Sequence, residues 1–453
     1  MKTTFRMFAA VVVVAFLSIS AAPLRAAPAH AAVTITIATV DNPQMIDMEH
    51  LTPTFTKKYG INVKYVVLPE NTLRQKITSD VATGGGVFDL ATVGTYEVPI
   101  FAKNKWIVNL QPKFAGLSAA DRNAYALGDI LPTVKQGLSY KGSLYALPFY
   151  GESSMTLYNK KIFAAAHLTM PLHPTWTQIQ SFAQKLNKPS QNQYGIVLRG
   201  LPGWGEMGAP MTTVINSFGG EWFNQKWQPQ LTSPATSKAI TFYVNLLKTY
   251  GEPGASSSGF TECETAFSQG KGAMWVDATS ASGLVTDPKT SKVAKDVGFA
   301  FSPHQVTQLG SHWLWAWSLA MEASSKHQAE AFKFLTWATS KGYIKLVGGA
   351  KGWGNVPPGT RYSTFSNPNY RKAVPYGNII LQSMNTANPN HATLHPVPYV
   401  GVQFVGIPEF QNIGTLVTQN LAGALTGRTT VQQALTTSQA QVTRIMTQAG
   451  YIH

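Results

Sequence analysis

The sequence predicts an α/β protein of two lobes, and three observations predict it. The chain is 453 residues long, beyond the roughly 250 to 300 at which a single hydrophobic core stops growing. Its first quarter alternates β-branched runs with amphipathic stretches, the pattern of a parallel sheet covered by helices. Residues 310–320, Gly-Ser-His-Trp-Leu-Trp-Ala-Trp-Ser-Leu-Ala, read as a strand by which the chain returns from the second lobe to the first. In such a strand Trp313, Trp315 and Trp317 share one face, with Leu314, Ala316 and Ser318 on the other. Three indoles in a row make a flat apolar shelf, suited to a core or to stacking on the C–H face of a carbohydrate.

The N-terminus reads as an export signal over residues 1–31. Lys2 and Arg6 supply a basic start, residues 8–19 an apolar run, and Ala29-His30-Ala31 a cleavage site before Ala32. The run is shorter than the ~18 to 20 residues that span a bilayer. Cys263 is the only cysteine, so no lipid is attached behind the signal and no intrachain disulfide forms. A soluble periplasmic protein is expected.

Residues 33–40 alternate as a strand; a helix follows over 45–58 and stops at Gly60. Residues 63–68 form a second strand, and Asn71 is expected to cap a helix that Gly84-Gly85-Gly86 ends. A third strand covers 88–93. Asp41, Asn42 and Gln44, and then Gly94-Thr95-Tyr96-Glu97, fall at the carboxyl ends of these strands, where such sheets bind ligands. Residues 144–150 are apolar and extended, and read as the first crossing between lobes.

Beyond the crossing, Thr175 and Gln178 form a capping box, and Ser233-Pro234 opens a helix that Gly251 follows. Short strands near 194–198 and 273–276 make the second lobe α/β as well. Residues 297–302 and the tryptophan strand lead back. Ser325 and Gln328 are expected to cap a helix over the first sheet, and 348–376 to form an ordered loop and a third crossing. Two helices separated by Gly427 close the chain. The expected organisation is therefore 32–148 and 300–350 in the N-terminal lobe, with 149–299 and 351–453 in the C-terminal lobe.

Composition narrows the partners. Only 13% of residues are charged, which suits a neutral polar ligand. Removing Lys2, Arg6 and Arg25 with the signal lowers the formal charge from +15 to +12. The basic residues are scattered, with no stripe or long run, so a solvated basic surface is expected and no nucleic-acid partner. An acidic envelope would account for the surplus.

Catalytic and metal signatures are missing. There is no P-loop, no H-E-x-x-H, no G-x-S-x-G and no histidine pair at i, i+4, so neither metal nor cofactor is expected. Cys263 falls in a Ser/Glu-rich stretch read as surface helix. Gly203-Trp204-Gly205-Glu206-Met207-Gly208 satisfies G-x-G-x-x-G, but Pro202 interrupts the approach that a dinucleotide loop needs. The same loop sets an aromatic plate beside a carboxylate. With Glu97, Glu152 and Asp277 also near strand ends, the pattern fits a polyhydroxylated ligand, because ionised carboxylates make strong hydrogen bonds to hydroxyls. A pair of carboxylates across a bond would equally suit a secreted glycosidase.

These segments carry a resemblance: Leu73-Arg74-Gln75-Lys76, Gly94 to Pro99, Leu147 to Ser154, Pro202 to Glu206, Asn216 to Gly220, Tyr250-Gly251, Pro253 to Ala255, Met274 to Thr279 and Thr360-Arg361. The chain resembles the extracellular solute-binding proteins of ATP-driven (ABC) carbohydrate importers, family 1, and within them the sorbitol and mannitol (polyol) binding proteins. The resemblance implies a two-lobe periplasmic-binding-protein fold, type II and maltose-binding-protein-like, with several hinge crossings. It implies no catalysis, a monomer that captures a polyol or sugar in the cleft, and a permease in the inner membrane that receives it. The ligand-facing residues it implies are Asn42, Tyr96, Glu97, Tyr150, Glu152, Trp204, Glu206, Asp277, Trp313 and Arg361. One departure stands out: Met207 occupies a position where the subgroup has Asn. The same clamp specific for an oligosaccharide is the nearest alternative.

Overall fold

The computed structural model describes residues 32–453; the expected export signal lies outside the described residues. β1 (Thr34–Val40), α1 (Pro43–Tyr59), β2 (Asn62–Leu68), α2 (Glu70–Thr83) and β3 (Leu90–Val93) follow in the expected order, with α3 (Glu97–Lys103) next. β1 pairs in parallel with β2 on one side and β3 on the other. Parallel pairing requires crossovers, and α1 and α2 supply them. Asn71 does not cap α2: Pro69 precedes its first residue, and the Asn71 side chain points away to bond Pro202.

β4 (Ala146–Glu152) is buried at every residue. After Ser153 alone the chain continues as β5 (Ser154–Asn159) in a different sheet, so one extended segment crosses between the lobes. The expected first-lobe limit at 148 therefore falls inside β4. β6 (Met274–Ala278) and β7 (Val297–Phe301) flank β5, both antiparallel to it. β8 (Trp315–Met321) then inserts antiparallel between β3 and β4, completing a five-stranded sheet of order β2-β1-β3-β8-β4. Trp313 precedes β8, and its irregular register between Trp317 and Ser318 turns the strand locally.

The helices cover these sheets. α4 (Trp176–Leu186) starts with the expected capping box at Thr175 and Gln178. α5 (Gly208–Ser217) is buried along its whole length, and α6 (Pro234–Tyr250) turns Ala239, Tyr243, Leu246 and Leu247 inward. α7 (Phe260–Ser268) holds Cys263 fully buried instead of on the surface, because Phe260, Ala266 and Phe267 share its inward face. Residues 194–198 join their neighbours through isolated bridges only, not as a strand. α8 (Gln328–Ala338) packs Ala331, Phe334, Leu335 and Ala338 against the first sheet. It forms no capping box: Ser325 is drawn instead to Asp89, donating at 2.6 Å. α9 (Lys341–Ala350) follows, and the expected loop 348–376 is broken by short helical turns at Tyr362–Ser366 and Pro368–Ala373. α10 (Phe410–Leu425) and α11 (Val431–Gln448) end the chain, with α10 packed on α5 and α6 beside the second sheet.

Candidate ligand-binding site

Strand ends converge on one cavity between the two sheets. Asn42 follows β1, Tyr150 and Glu152 close β4, and Trp313, Trp315 and Trp317 form one wall. Glu70 and Arg74 come from the first turns of α2. From the other side come Arg199, Trp204, Gly205 and Ala209, with Phe260 at the start of α7, Ser280 after β6 and Gln403 from the loop before α10. The space is partly open, with about 30 Å³ accessible to the centre of a water-sized sphere, room for two or three waters in this form.

Two arginines organise its charge. Arg74 lies between Glu70, at 2.9 Å, and Glu97, and its guanidinium stacks over Trp204, Trp315 and Trp317 at 4.2, 4.8 and 5.0 Å. Burial pushes the Arg74 pKa down, but the two carboxylates outweigh it and keep the side chain charged. Gly94 has no side chain because Trp315 lies there: a Cβ would sit 1.9 Å from the indole. Arg199 grips Asp277 with two bonds of 2.9 and 2.6 Å, donates to the Gly205 carbonyl at 3.0 Å and faces Glu206 at 3.6 Å. Such bidentate pairing fixes orientation as well as charge.

The remaining polar groups are poised for neutral hydroxyls. Asn42 donates to the Tyr150 hydroxyl at 2.7 Å. Burial pushes the Glu152 carboxyl up to about 8, against the hydrogen bond from Ser280 and the charge of Arg199. It therefore carries its proton near neutral pH and can both donate and accept. Among the described residues the indole N–H groups of Trp204 and Trp313 are buried without a hydrogen-bond partner, which costs free energy unless something else accepts from them.

Five of the ten expected residues line the cavity: Asn42, Tyr150, Glu152, Trp204 and Trp313. Tyr96, Glu97, Glu206 and Asp277 stand one layer behind. Tyr96 sets its ring 4.5 Å from Trp204, tilted by 51°, and donates its hydroxyl to the Ile407 carbonyl. Glu97 is taken up by Arg74 and the Gly94 amide. Glu206 accepts from the Phe260 amide, and burial together with the charge of Glu70 raises it to about 8. Asp277 is fully buried beneath Arg199, with Trp275 and its own neighbour Ala278 as further donors. Arg361 is elsewhere: it bonds the carbonyls of Thr339, Tyr125 and Ala126 and pairs with Asp129, so it ties the third crossing to the first lobe. Met207 is also fully buried and does not line the cavity, so the Asn it replaces changes no cavity-lining position.

Residues 42–345 match the family described as bacterial extracellular solute-binding protein. The chain belongs to that family. A mannitol-binding protein of Pseudomonas aeruginosa is 51% identical over 424 residues, covering 93% of this chain and 95% of the relative. A solute-binding protein from Agrobacterium vitis S4, solved with bound D-mannitol, superposes with a TM-score of 0.90 at 51% identity, over 92% of this chain and 99% of the other. A maltose-bound protein of T. maritima superposes with a TM-score of 0.75 at 18% identity, over 91% and 100%, a likeness of fold alone. The architecture is thus the two-lobe, type II fold of the solute-binding proteins.

In this solute-binding protein the residues that pattern-reading passed over are mainly the two arginines. Arg74 had a legible signal, since it rides the same face of α2 as the apolar Leu73, Ile77 and Val81. Arg199 had a weaker one, a cation at the end of the buried run Ile196-Val197-Leu198. Ser280 and Gln403 had none.

Proposed function

We propose that this protein captures an acyclic six-carbon polyol, mannitol or a stereoisomer of it, in the periplasm and delivers it unchanged to the permease of an ATP-driven importer. The observation that carries the reading is the pair of unpartnered indole N–H groups, Trp204 and Trp313, in a cavity shared with the protonated Glu152. Neutral hydroxyls satisfy all three, and the indole faces accept the carbon chain between them. The two relatives named for mannitol or holding it, each 51% identical over nearly the whole chain, support the same ligand.

A hexitol has about 12 heavy atoms, so micromolar binding asks roughly 0.7 kcal/mol of each, near the range that only an enclosed small ligand reaches. The cavity lies between walls from the two lobes, so the walls part to admit a ligand and close over it. Closure is then a population shift: a ligand touching both lobes favours the shut form, and the permease reads that form. The test is thermal melting against sorbitol, mannitol, xylitol, arabitol, monosaccharides, maltose and trehalose. Ligand at 100 times its dissociation constant adds about 2.7 kcal/mol. A rise in Tm with hexitols, and recovery of the hexitol intact, supports the reading; a rise with maltose or trehalose alone moves the specificity to disaccharides.

A further inference from the structure

Of the glycines of Gly203-Trp204-Gly205-Glu206, the ligand cavity is lined by Gly205 and not by Gly203. Their bare backbone is nevertheless used. The first turns of α2, from the other lobe, lie directly on this loop. Asn71 Nδ2 donates to the Pro202 carbonyl at 3.1 Å. A Cβ on Gly203 would sit 2.5 Å from Asn71 Oδ1, and one on Gly205 would sit 2.3 Å from Glu70 Oε1 and 3.1 Å from Arg74 Nη2. Between the two glycines, the Trp204 indole receives the Arg74 guanidinium. Three consecutive residues of the loop thus each receive a side chain of α2, and at the outer two a Cβ would displace that side chain.

We propose that this seat is the closure latch of the cleft: Glu70, Asn71 and Arg74 dock on Gly203, Trp204 and Gly205, and this docking sets how far the shut form is populated. The inference rests on the reading above in that the cleft closes on its ligand. Because the contacts bridge the two lobes, they exist only when the cleft is shut, so they add to apparent affinity through the population of the binding-competent form. Asn71 and Gly203 do not line the cavity; they are positioning residues that act without touching the ligand.

The test is mannitol affinity in the full mature chain. Gly205 lies outside the left-handed region, so Gly205→Ala is compatible with its backbone, and the atoms nearest its Cβ are those of Glu70 and Arg74. Affinity is expected to fall by about tenfold or more, with the ligand-free Tm unchanged. Asn71→Ala, remote from the ligand, is expected to lose about three- to tenfold. In a Glu70→Ala background, Gly205→Ala should cost much less, since the side chain it strikes is gone. Wild-type affinity in both Gly205→Ala and Asn71→Ala would overturn the latch, as would an equal loss with and without Glu70. Spin labels at the exposed positions Lys76 and Lys238 read closure without reference to ligand. If the wild-type chain bound no polyol, the functional reading would fail, and the labels would still decide: a short-distance population that Gly205→Ala removes supports the latch, and identical distributions overturn it.

Discussion

The two arginine clusters of the cavity have the same parts and different duties. Each sets a guanidinium between two carboxyl groups and against aromatic rings. Arg199 finds its partners, Asp277, Glu206 and the Gly205 carbonyl, within one lobe, and its bonds to Asp277 are bidentate. Arg74 pairs with Glu70 and Glu97 in its own lobe but stacks on Trp204 from the other. A charge satisfied inside one lobe is scaffold whether the cleft is open or shut. A charge whose stacking partner lies across the cleft contributes fully only when the lobes meet, so its energy appears in binding.

The largest effect that would break this contrast is on stability. Arg199→Ala strands Asp277 in the interior and is expected to cost about 3 to 5 kcal/mol in the ligand-free protein, measured by denaturant unfolding. Arg74→Ala leaves Glu97 buried without its cation but should cost less there, because an open cleft lets water reach Glu70, while mannitol affinity by calorimetry falls by about a hundredfold. If the two variants lost stability and affinity in the same proportion, the division of duties would be gone.

The pH dependence sharpens the comparison. Glu152 and Glu206 are both raised from the usual carboxylate value to about 8, chiefly by burial. A raised carboxyl means the folded state holds a proton that the unfolded state has released above about 4.5. Stability from these groups is therefore full below that pH and is lost progressively as pH rises to about 8. The Tm is expected to fall steadily between pH 5 and 8, and Glu206→Gln should flatten part of the slope. A Tm that rises over that interval would contradict it. The direction agrees with an acidic working environment for a chain of formal charge +15.

The smallest effect separates stacking from hydrogen bonding. Trp313→Phe keeps an aromatic wall but removes one unpartnered N–H donor, so mannitol affinity should drop by about fivefold, the worth of one hydrogen bond. No change would mean that this indole contributes area alone.

Much of the fold was legible because local rules govern it. β-branched alternation marked β1 and β2, glycines marked the ends of α1 and α2, and the capping box at Thr175 opened α4. The expectations that failed were those decided at a distance. Asn71 and Ser325 have capping chemistry, yet Pro202 and Asp89 drew them away. Of the site, Glu152 and the indoles of Trp204 and Trp313 were readable from strand ends, loop pattern and spacing; Tyr150 came through the resemblance, and Phe260 was not anticipated. Asp277 and Glu206 were readable as site carboxylates, but whether they face ligand or arginine was not.

The α/β class, the two lobes and the kinship with solute-binding proteins follow from the order of residues alone, since periodicity and motif are properties of neighbours along the chain. Which charges meet was set by the folded arrangement. Arg199 and Asp277 are separated by a long stretch of sequence, Arg361 turned to the first lobe, and the glycines of the 203–208 loop took up α2. Pairing energies depend on distance in space and on exclusion of water, and neither is written in the order of residues.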